Sequence, residues 1–151
     1  MAAMVIGVFM GGLFQMNAFN ARSIRAGRET VAASFVLQER LDEIRNAAWL
    51  DASKSTYIQT ILNTGAASAT SLPQLTEQIT ISAYPPTVPA TTTAVVNRAA
   101  NGTTTVVSSN PDLAKLPTVR ADVTISWKSS SRNKTRTRTL STLISEGGII
   151  R

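Results

Sequence analysis

The chain contains neither cysteine nor histidine. These two absences exclude thiolate catalysis, disulfide frameworks, zinc sites built from cysteine and histidine, and Ser-His-Asp triads. Carboxylates, lysines and hydroxyls are the groups left for chemistry, and their pattern indicates neither a metal site nor a cofactor site. We therefore expect a protein that is not an enzyme and that has no small-molecule substrate.

Charge is also missing from one end of the chain. The first 21 residues contain no Asp, Glu, Lys or Arg, although the chain of 151 residues has a net charge of +6. A helix of about 20 residues spans the roughly 30 Å hydrocarbon core of a bilayer. We predict a transmembrane or filament-core helix over residues 1–21. A cleaved signal peptide is the alternative, but no basic stretch precedes the apolar run and the helical pattern continues beyond it.

Residues 22–50 contain no proline and are predicted to continue this helix as an amphipathic segment. Its apolar stripe recurs every three or four residues, at Ala33, Leu37, Leu41, Ile44 and Ala48. Charged residues between Glu39 and Arg45 are placed mostly on the other side. Residues 1–50 are thus predicted to form one nearly continuous helix, roughly 75 Å long.

Residues 51–151 are predicted to form a β-rich head with loops, because the apolar period changes there to two. A short helix ending at Gly65 comes first. Alternating residues follow at Ile79 and Ile81 and again from Val119 to Trp127, and the threonine-rich segments TTTAVV and TTTVVSS suggest a hairpin. The predicted fold class is α+β, with a long N-terminal helix packed on an antiparallel meander of about four strands.

The order of these segments resembles the type IV pilins and the pseudopilins of type II secretion. The opening MAAMVIGVFMGGLFQ looks like the interior of the pilin N-terminal segment, and VAASFVLQERLDEIRNAAW is similar to the helix that crosses into the head of minor pilins. The closing VRADVTISWKSSSRNKTRTRTLSTLISEGG resembles the family's last hairpin. The resemblance implies a pilin-like fold and a structural subunit, a minor pilin or pseudopilin, of a pilus or secretion filament.

The resemblance also implies a location and partners. The subunit would cross the bacterial inner membrane once, with its head outside the cytoplasm, and would join a periplasmic or cell-surface filament after assembly. Its partners would be other pilin-like subunits, packed through the apolar residues of the N-terminal helix: Val5, Ile6, Val8, Phe9, Leu13 and Phe14. The stripe from Ala33 to Ala48 would dock the sheet of the head onto the helix.

Two features depart from the family pattern. The family has a basic leader ending in glycine and a glutamate at the fifth mature position, and neither stands in this sequence. Either the upstream part is missing, or the chain is a member that the family's peptidase does not process. Arg22, Arg25 and Arg28 follow the apolar run, and the positive-inside rule would place their side in the cytoplasm. We follow the family orientation because it accounts for more of the chain.

A basic cluster near the C-terminus supports a second interpretation. It contains no acid and comprises Lys128, Arg132, Lys134, Arg136 and Arg138. Such residues could contact phosphates, although strands at the edge of a sheet are also rich in Lys and Arg to prevent pairing with other strands. The alternative function is therefore a membrane-anchored binding module whose hairpin contacts DNA or another polyanion.

Overall fold

The computed structural model describes residues 2–86, 93–130 and 133–146, and within them the side chains of all residues except 2–5 and 8. A long N-terminal helix packs against one antiparallel sheet. This arrangement confirms the predicted α+β class. The sheet has five strands, where about four were predicted.

The first helix, α1, runs over Ala2–Asn46, and its 45 residues make a rod about 68 Å long. The chain then breaks at residues 47–48, where Ala48 has an extended backbone with ψ 143°. Two short helices follow, α2 at Trp49–Ala52 and α3 at Ser55–Thr64. The helix predicted to be nearly continuous through residue 50 therefore ends four residues earlier, at Asn46. The break turns the chain back so that α3 can bury Ile58 and Leu62 in the core.

Helix α3 ends as the sequence predicts. Gly65 follows it with a φ of +67°, a value that residues with a Cβ rarely adopt. A 3₁₀ turn at Ala67–Ser71 then leads into the sheet.

The strands are β1 (Thr76–Ala83), β2 (Thr93–Arg98), β3 (Thr104–Ser108), β4 (Thr118–Lys128) and β5 (Thr135–Ser145). Their order in the sheet is β3-β2-β1-β4-β5, and each neighbouring pair is antiparallel. The predicted hairpin of two threonine-rich segments is β2 and β3. The predicted meander is wrong, because β4 pairs with β1 and not with β3.

The burial of each strand explains this order. Every second residue of β4 is 1% exposed or less, whereas β3 has no buried side chain. A strand with that much apolar surface is more stable inside the sheet than at its edge. The connection from β3 to β4 therefore crosses the sheet, and Leu113 in its 3₁₀ turn is fully buried.

The core lies between one face of the sheet and the helices α1 and α3. The sheet contributes alternate residues of its inner strands, including Ile79, Ile81, Ala94, Val96, Val119, Ala121, Val123, Ile125 and Trp127. Of the α1 side chains that the structure describes, the core includes those of the C-terminal part, from Ala33 onwards. The fold thus leaves the N-terminal part of α1 outside the core.

Candidate functional site

The N-terminal part of α1 projects from the head as an exposed apolar rod, defined here as residues 6–25. Every side chain that the structure describes in this stretch is exposed. The large apolar ones are 46–72% exposed: Ile6, Phe9, Met10, Leu13, Phe14, Met16, Phe19 and Ile24. Monomeric proteins rarely leave a contiguous apolar surface as long as this helix segment exposed. When a protein does so, the exposed surface usually binds a partner.

The rod contains all but one of the residues predicted to form the filament core. Ile6, Phe9, Leu13 and Phe14 lie on it, and all four are exposed. The side chains of Val5 and Val8 lie outside the described residues. Within the described ranges, no helix has both the length and the mean hydropathy of a membrane span.

Four residues beyond the rod, Glu29 enters the head. Glu29 is 4% exposed, and it accepts hydrogen bonds from the Ser130 backbone N–H at 2.9 Å, from the Ser130 hydroxyl, and from Trp127 Nε1 at 3.4 Å. Burial opposes ionisation of this carboxyl, but the hydrogen bonds from Ser130, Ser129 and Trp127 outweigh it and hold its pKa below the usual value. One carboxylate thus joins α1 to the turn between β4 and β5.

A second polar contact anchors the helix farther along. Arg40 is fully buried, and its Nε donates to Glu77 Oε2 at 2.7 Å. Its Nη1 donates to Glu43 Oε2 at 2.8 Å and to the Ile61 carbonyl at 2.9 Å. Arg98 Nη1 donates to the other oxygen of Glu77 at 2.9 Å. Burial lowers the pKa of Arg40, but its two carboxylate partners more than compensate and raise it. We call these four side chains the buried ion cluster.

The stripe predicted to dock the head is mostly in the core. Ala33, Leu37, Leu41 and Ile44 are at most 4% exposed. Ala48 differs from the prediction: it is exposed, because it lies in the break between α1 and α2.

Three buried residues of α1 were missed by the sequence analysis. Val36, Glu29 and Arg40 belong to the docked face, and Arg40 was placed among the charged residues on the other side. Its spacing, three residues after Leu37 and four before Ile44, is the signal that could have located it.

The structure divides the predicted basic cluster between two faces of the sheet. Arg136 lies opposite Trp127 and Arg138 opposite Ile125, on the face that carries α1. Arg138 Nη1 also reaches Ser34 Oγ of that helix at 3.5 Å. Lys128, paired with Thr135, is on the other face, and Lys134 lies in the turn before β5. Arg132 lies outside the described residues. The basic residues that are described therefore form no single patch.

A concavity of about 880 Å³ in the head lies between the end of α1 and the pair β4–β5. Its walls include Trp49, Tyr84, Pro85, Leu143 and Ile144. Its charged lining residues are Arg45 and Glu146, one of each sign. Across the described part of the chain, no group of three or more acidic residues is placed to hold a metal ion.

Comparison of the chain with protein-family models, with curated proteins and with solved structures gives no match. Its function must therefore be inferred from the geometry and from the residues themselves. The feature with the clearest functional meaning is the exposed rod, since the head accounts for its own core and leaves the rod uncovered.

Proposed function

We propose that this protein is a structural subunit, a minor pilin or pseudopilin, of a type IV pilus-like or type II secretion filament. The subunit assembles by packing its rod against the rods of neighbouring pilin-like subunits. The observation that carries the proposal is the exposure of every described side chain over residues 6–25 in a chain whose head is otherwise well packed.

The energetics favour packing between rods over an isolated subunit in water. Burying one large apolar side chain contributes about 1.5–3 kcal/mol. The rod carries eight such side chains, Ile6, Phe9, Met10, Leu13, Phe14, Met16, Phe19 and Ile24. Their combined burial is on the order of 10 kcal/mol, which is enough to offset the loss of freedom on association.

Before assembly, the same helix would lie in the bacterial inner membrane with the head outside the cytoplasm. Gln15, Asn17 and Asn20 lower the hydropathy of the rod. Polar residues reduce the free energy needed to extract a helix from lipid, so this composition suits a helix that must leave the bilayer to assemble.

The anchoring of α1 in the head suits a filament subunit as well. Glu29 and the buried ion cluster fix the helix to the sheet at two places, separated by about 16 Å of helix. Because each head is fixed rigidly to its rod, the packing of the rods determines where neighbouring heads lie. A flexible tether could not do so.

The alternative, a binding module whose hairpin contacts DNA or another polyanion, has less support. Affinity for a phosphate backbone grows with the number of cations that reach it together. Arg136 and Arg138 face α1 while Lys128 is on the other side of the sheet, so one duplex could not contact all of them.

The proposal is tested by placing a charge on the rod. The variant Leu13→Glu, purified as the full chain in mild detergent, should fail to form filaments or large oligomers when the detergent is diluted, since a buried carboxylate without a partner costs several kcal/mol. Sedimentation and electron microscopy measure the result.

The matched control is Leu50→Glu. Leu50 is 60% exposed and lies on the head, whereas Leu13 is 46% exposed and lies on the rod. We expect the Leu50 variant to assemble like the wild type. Assembly of Leu13→Glu to the wild-type extent would overturn the proposed function.

A further inference from the structure

The net positive charge of the chain is concentrated at the end of the head where the rod joins it. Six basic residues elsewhere each form an ion pair with a carboxylate: Arg40, Arg45, Lys54, Arg98, Lys115 and Arg120. Six others pair with no carboxylate among the described residues: Arg22, Arg25, Arg28, Lys128, Lys134 and Arg136. We call these last six residues the basic collar. Without them, the 15 Lys and Arg residues of the chain are reduced to nine and balance the nine Asp and Glu residues, so the collar accounts for the whole net charge of +6.

Helix α1 supplies three residues of the collar at the point where it meets the head. Glu29 accepts a hydrogen bond from the backbone N–H of Ser130 at 2.9 Å, and Ser130 lies at the tip of the β4–β5 hairpin. Arg22 and Arg25 precede Glu29 by seven and four residues, which places them on the face of α1 that carries this contact, within about 11 Å of it along the axis. Arg28 directly precedes Glu29, and all three arginines are exposed.

The hairpin tip supplies the other three residues. Lys128 ends β4, and the Lys134 carbonyl accepts a hydrogen bond from the Ser129 N–H at 2.9 Å within the turn. Arg136 lies opposite Trp127, whose indole N–H donates to the same helix carboxylate at 3.4 Å. Because Lys128 and Arg136 are on opposite faces of the sheet, the collar is not a patch on either face and instead lies around the end of the head.

The two segments that form the collar contain almost no negative charge. Residues 1–38 include one acidic residue, Glu29, and residues 123–145 include none. Glu29 is 4% exposed, and its oxygens accept hydrogen bonds from the hairpin. The collar therefore presents its positive charge to the surroundings without an exposed carboxylate to offset it.

We propose that the basic collar binds the anionic phospholipid headgroups of the membrane that holds the rod. The proposal rests on the membrane location given to the rod in the proposed function, and it specifies what the head contacts before assembly. The order of charge along the chain matches a bilayer, since 21 uncharged residues are followed directly by Arg22, Arg25 and Arg28. When the uncharged stretch lies in hydrocarbon, these arginines are at the level of the headgroups, where each Lys or Arg strengthens binding to an anionic surface roughly fivefold.

A membrane surface fits the collar better than a nucleic acid does. The plane of a bilayer crosses the rod, so it can approach cations on α1 and on both faces of the hairpin at once. A duplex laid against one face of the sheet would reach Arg136 or Lys128 but not both, and its affinity depends on how many cations it reaches together.

The test compares two triple variants that remove the same charge from different places. The collar variant combines Arg25→Gln, Arg28→Gln and Lys134→Gln. The control variant replaces three cations that are paired and lie away from the collar: Lys54→Gln, Lys115→Gln and Arg120→Gln. Arg120 stands near the beginning of β4 and Lys128 at its end, about 26 Å away along the strand, which exceeds the Debye length of about 10 Å.

Flotation with vesicles measures the binding. The full chain in mild detergent is diluted into vesicles of phosphatidylcholine, either alone or with about one third phosphatidylglycerol. The wild type should prefer the anionic vesicles by on the order of 100-fold or more. The collar variant should lose at least about 10-fold of this preference, since three residues at roughly fivefold each contribute on the order of 100-fold, and the control variant should stay within about twofold of the wild type.

Three results would overturn the proposal. The first is a wild type that binds both kinds of vesicle alike, and the second is an equal loss of preference in the two triple variants. The third concerns DNA: with no vesicles present, a collar variant that loses affinity for a duplex as strongly as it loses the preference for anionic vesicles would identify a general polyanion site.

These results are distinct from a failure of the filament function. Assembly is measured with Leu13→Glu, whose new charge lies on the rod and outside the collar. Filaments that depend on an uncharged Leu13, in a protein without preference for anionic vesicles, would keep the filament function and refute the lipid contact. A protein that prefers anionic vesicles through the collar but assembles equally well as Leu13→Glu would support the lipid contact and refute the filament.

Discussion

Removal of Arg40 should be among the most destabilising single changes in the head. Arg40 is fully buried, as is Glu77, and their closest atoms are 2.7 Å apart. In Arg40→Met the methionine fills most of the volume of the arginine stem but offers no donor. The Glu77 carboxylate then keeps Arg98 as its ion-pair partner at 2.9 Å, and the Ile61 carbonyl loses the guanidinium.

The expected loss follows from these contacts. Breaking a buried ion pair by removing one partner costs about 3–5 kcal/mol, because the remaining charge stays buried. Arg98 still neutralises part of that charge, so we expect the lower end, about 3 kcal/mol. At roughly 4 °C per kcal/mol for a domain of this size, the melting temperature should fall by about 12 °C.

The assay is denaturation of the full chain in mild detergent, followed by tryptophan fluorescence. Trp127 is 1% exposed in the core and should report unfolding of the head through a shift of its emission. Arg45→Met is the matched control on the same helix. Its side chain is 45% exposed and its pair with Asp42 spans 3.7 Å, so it should cost less than about 1 kcal/mol.

A double variant separates the lost pair from lost packing. Arg40→Met combined with Glu77→Leu removes both buried charges and leaves Arg98, whose side chain is 20% exposed and can reach water. This variant should be more stable than Arg40→Met alone, since an apolar replacement of a buried pair is often neutral. If Arg40→Met costs no more than the Arg45 control, or if the double variant is the less stable of the two, the ion cluster does not have the role assigned to it.

Three further predictions concern acid, backbone conformation and the independence of the rod. The pKa of Glu29 in the folded head lies below its ordinary value of 4.5, so the stability that the ionised carboxylate contributes is present above that pH and is lost as the pH falls through the lowered pKa. The melting temperature of Glu29→Gln should therefore fall less steeply between about pH 6 and pH 3 than that of the wild type. A fall as steep as in the wild type would contradict this prediction. Gly65→Ala should destabilise the head by about 1–2 kcal/mol, since φ at this position is +67° and a Cβ would lie 3.3 Å from Arg98 Nη2. Gly27→Ala is the opposite case, because a Cβ there meets nothing within 4 Å. This variant should stabilise its helix by about 0.5–1 kcal/mol in urea denaturation. Leu13→Glu, which abolishes assembly in the proposed function, should leave the melting temperature of the head within about 2 °C of the wild type, which corresponds to about 0.5 kcal/mol.

Periodicity predicted the parts of the fold that depend on local pattern. The spacing of Ala33, Leu37, Leu41 and Ile44 located the docked face of α1, and alternation from Val119 to Trp127 located the strand with the most buried side chains. Each of these signals lies within a single element, where the side-chain period and the buried face are directly linked. The end of α3 at Gly65 could be predicted for a similar reason, because glycine adopts positive φ without strain.

The features that were missed depend on contacts between distant segments. The pairing of β4 with β1 joins residues about 40 positions apart, and no local pattern specifies which strand is the neighbour. The break at residues 47–48 contains neither glycine nor proline, so its cause is the burial of α3 and not a residue that ends helices. Arg40 was assigned to the charged side of the helix together with its charged neighbours. Its burial depends on Glu77, 37 residues away, which no local pattern shows.

The same division between local and distant contacts explains why the rod and the head can be tested separately. The core cluster draws on α1 only from Ala33 onwards, and Glu29 is the first buried residue of the helix among those described. Substitutions in residues 6–25 therefore remove no contact of the folded head, and we expect them to act on assembly alone. Conversely, a head that unfolds when Arg40 is replaced still leaves the rod with the same apolar surface. A substitution within the rod could instead reduce both assembly and the stability of the head. That result would show that the rod packs against another part of its own chain. The exposed apolar side chains of the rod would then need no filament to explain them.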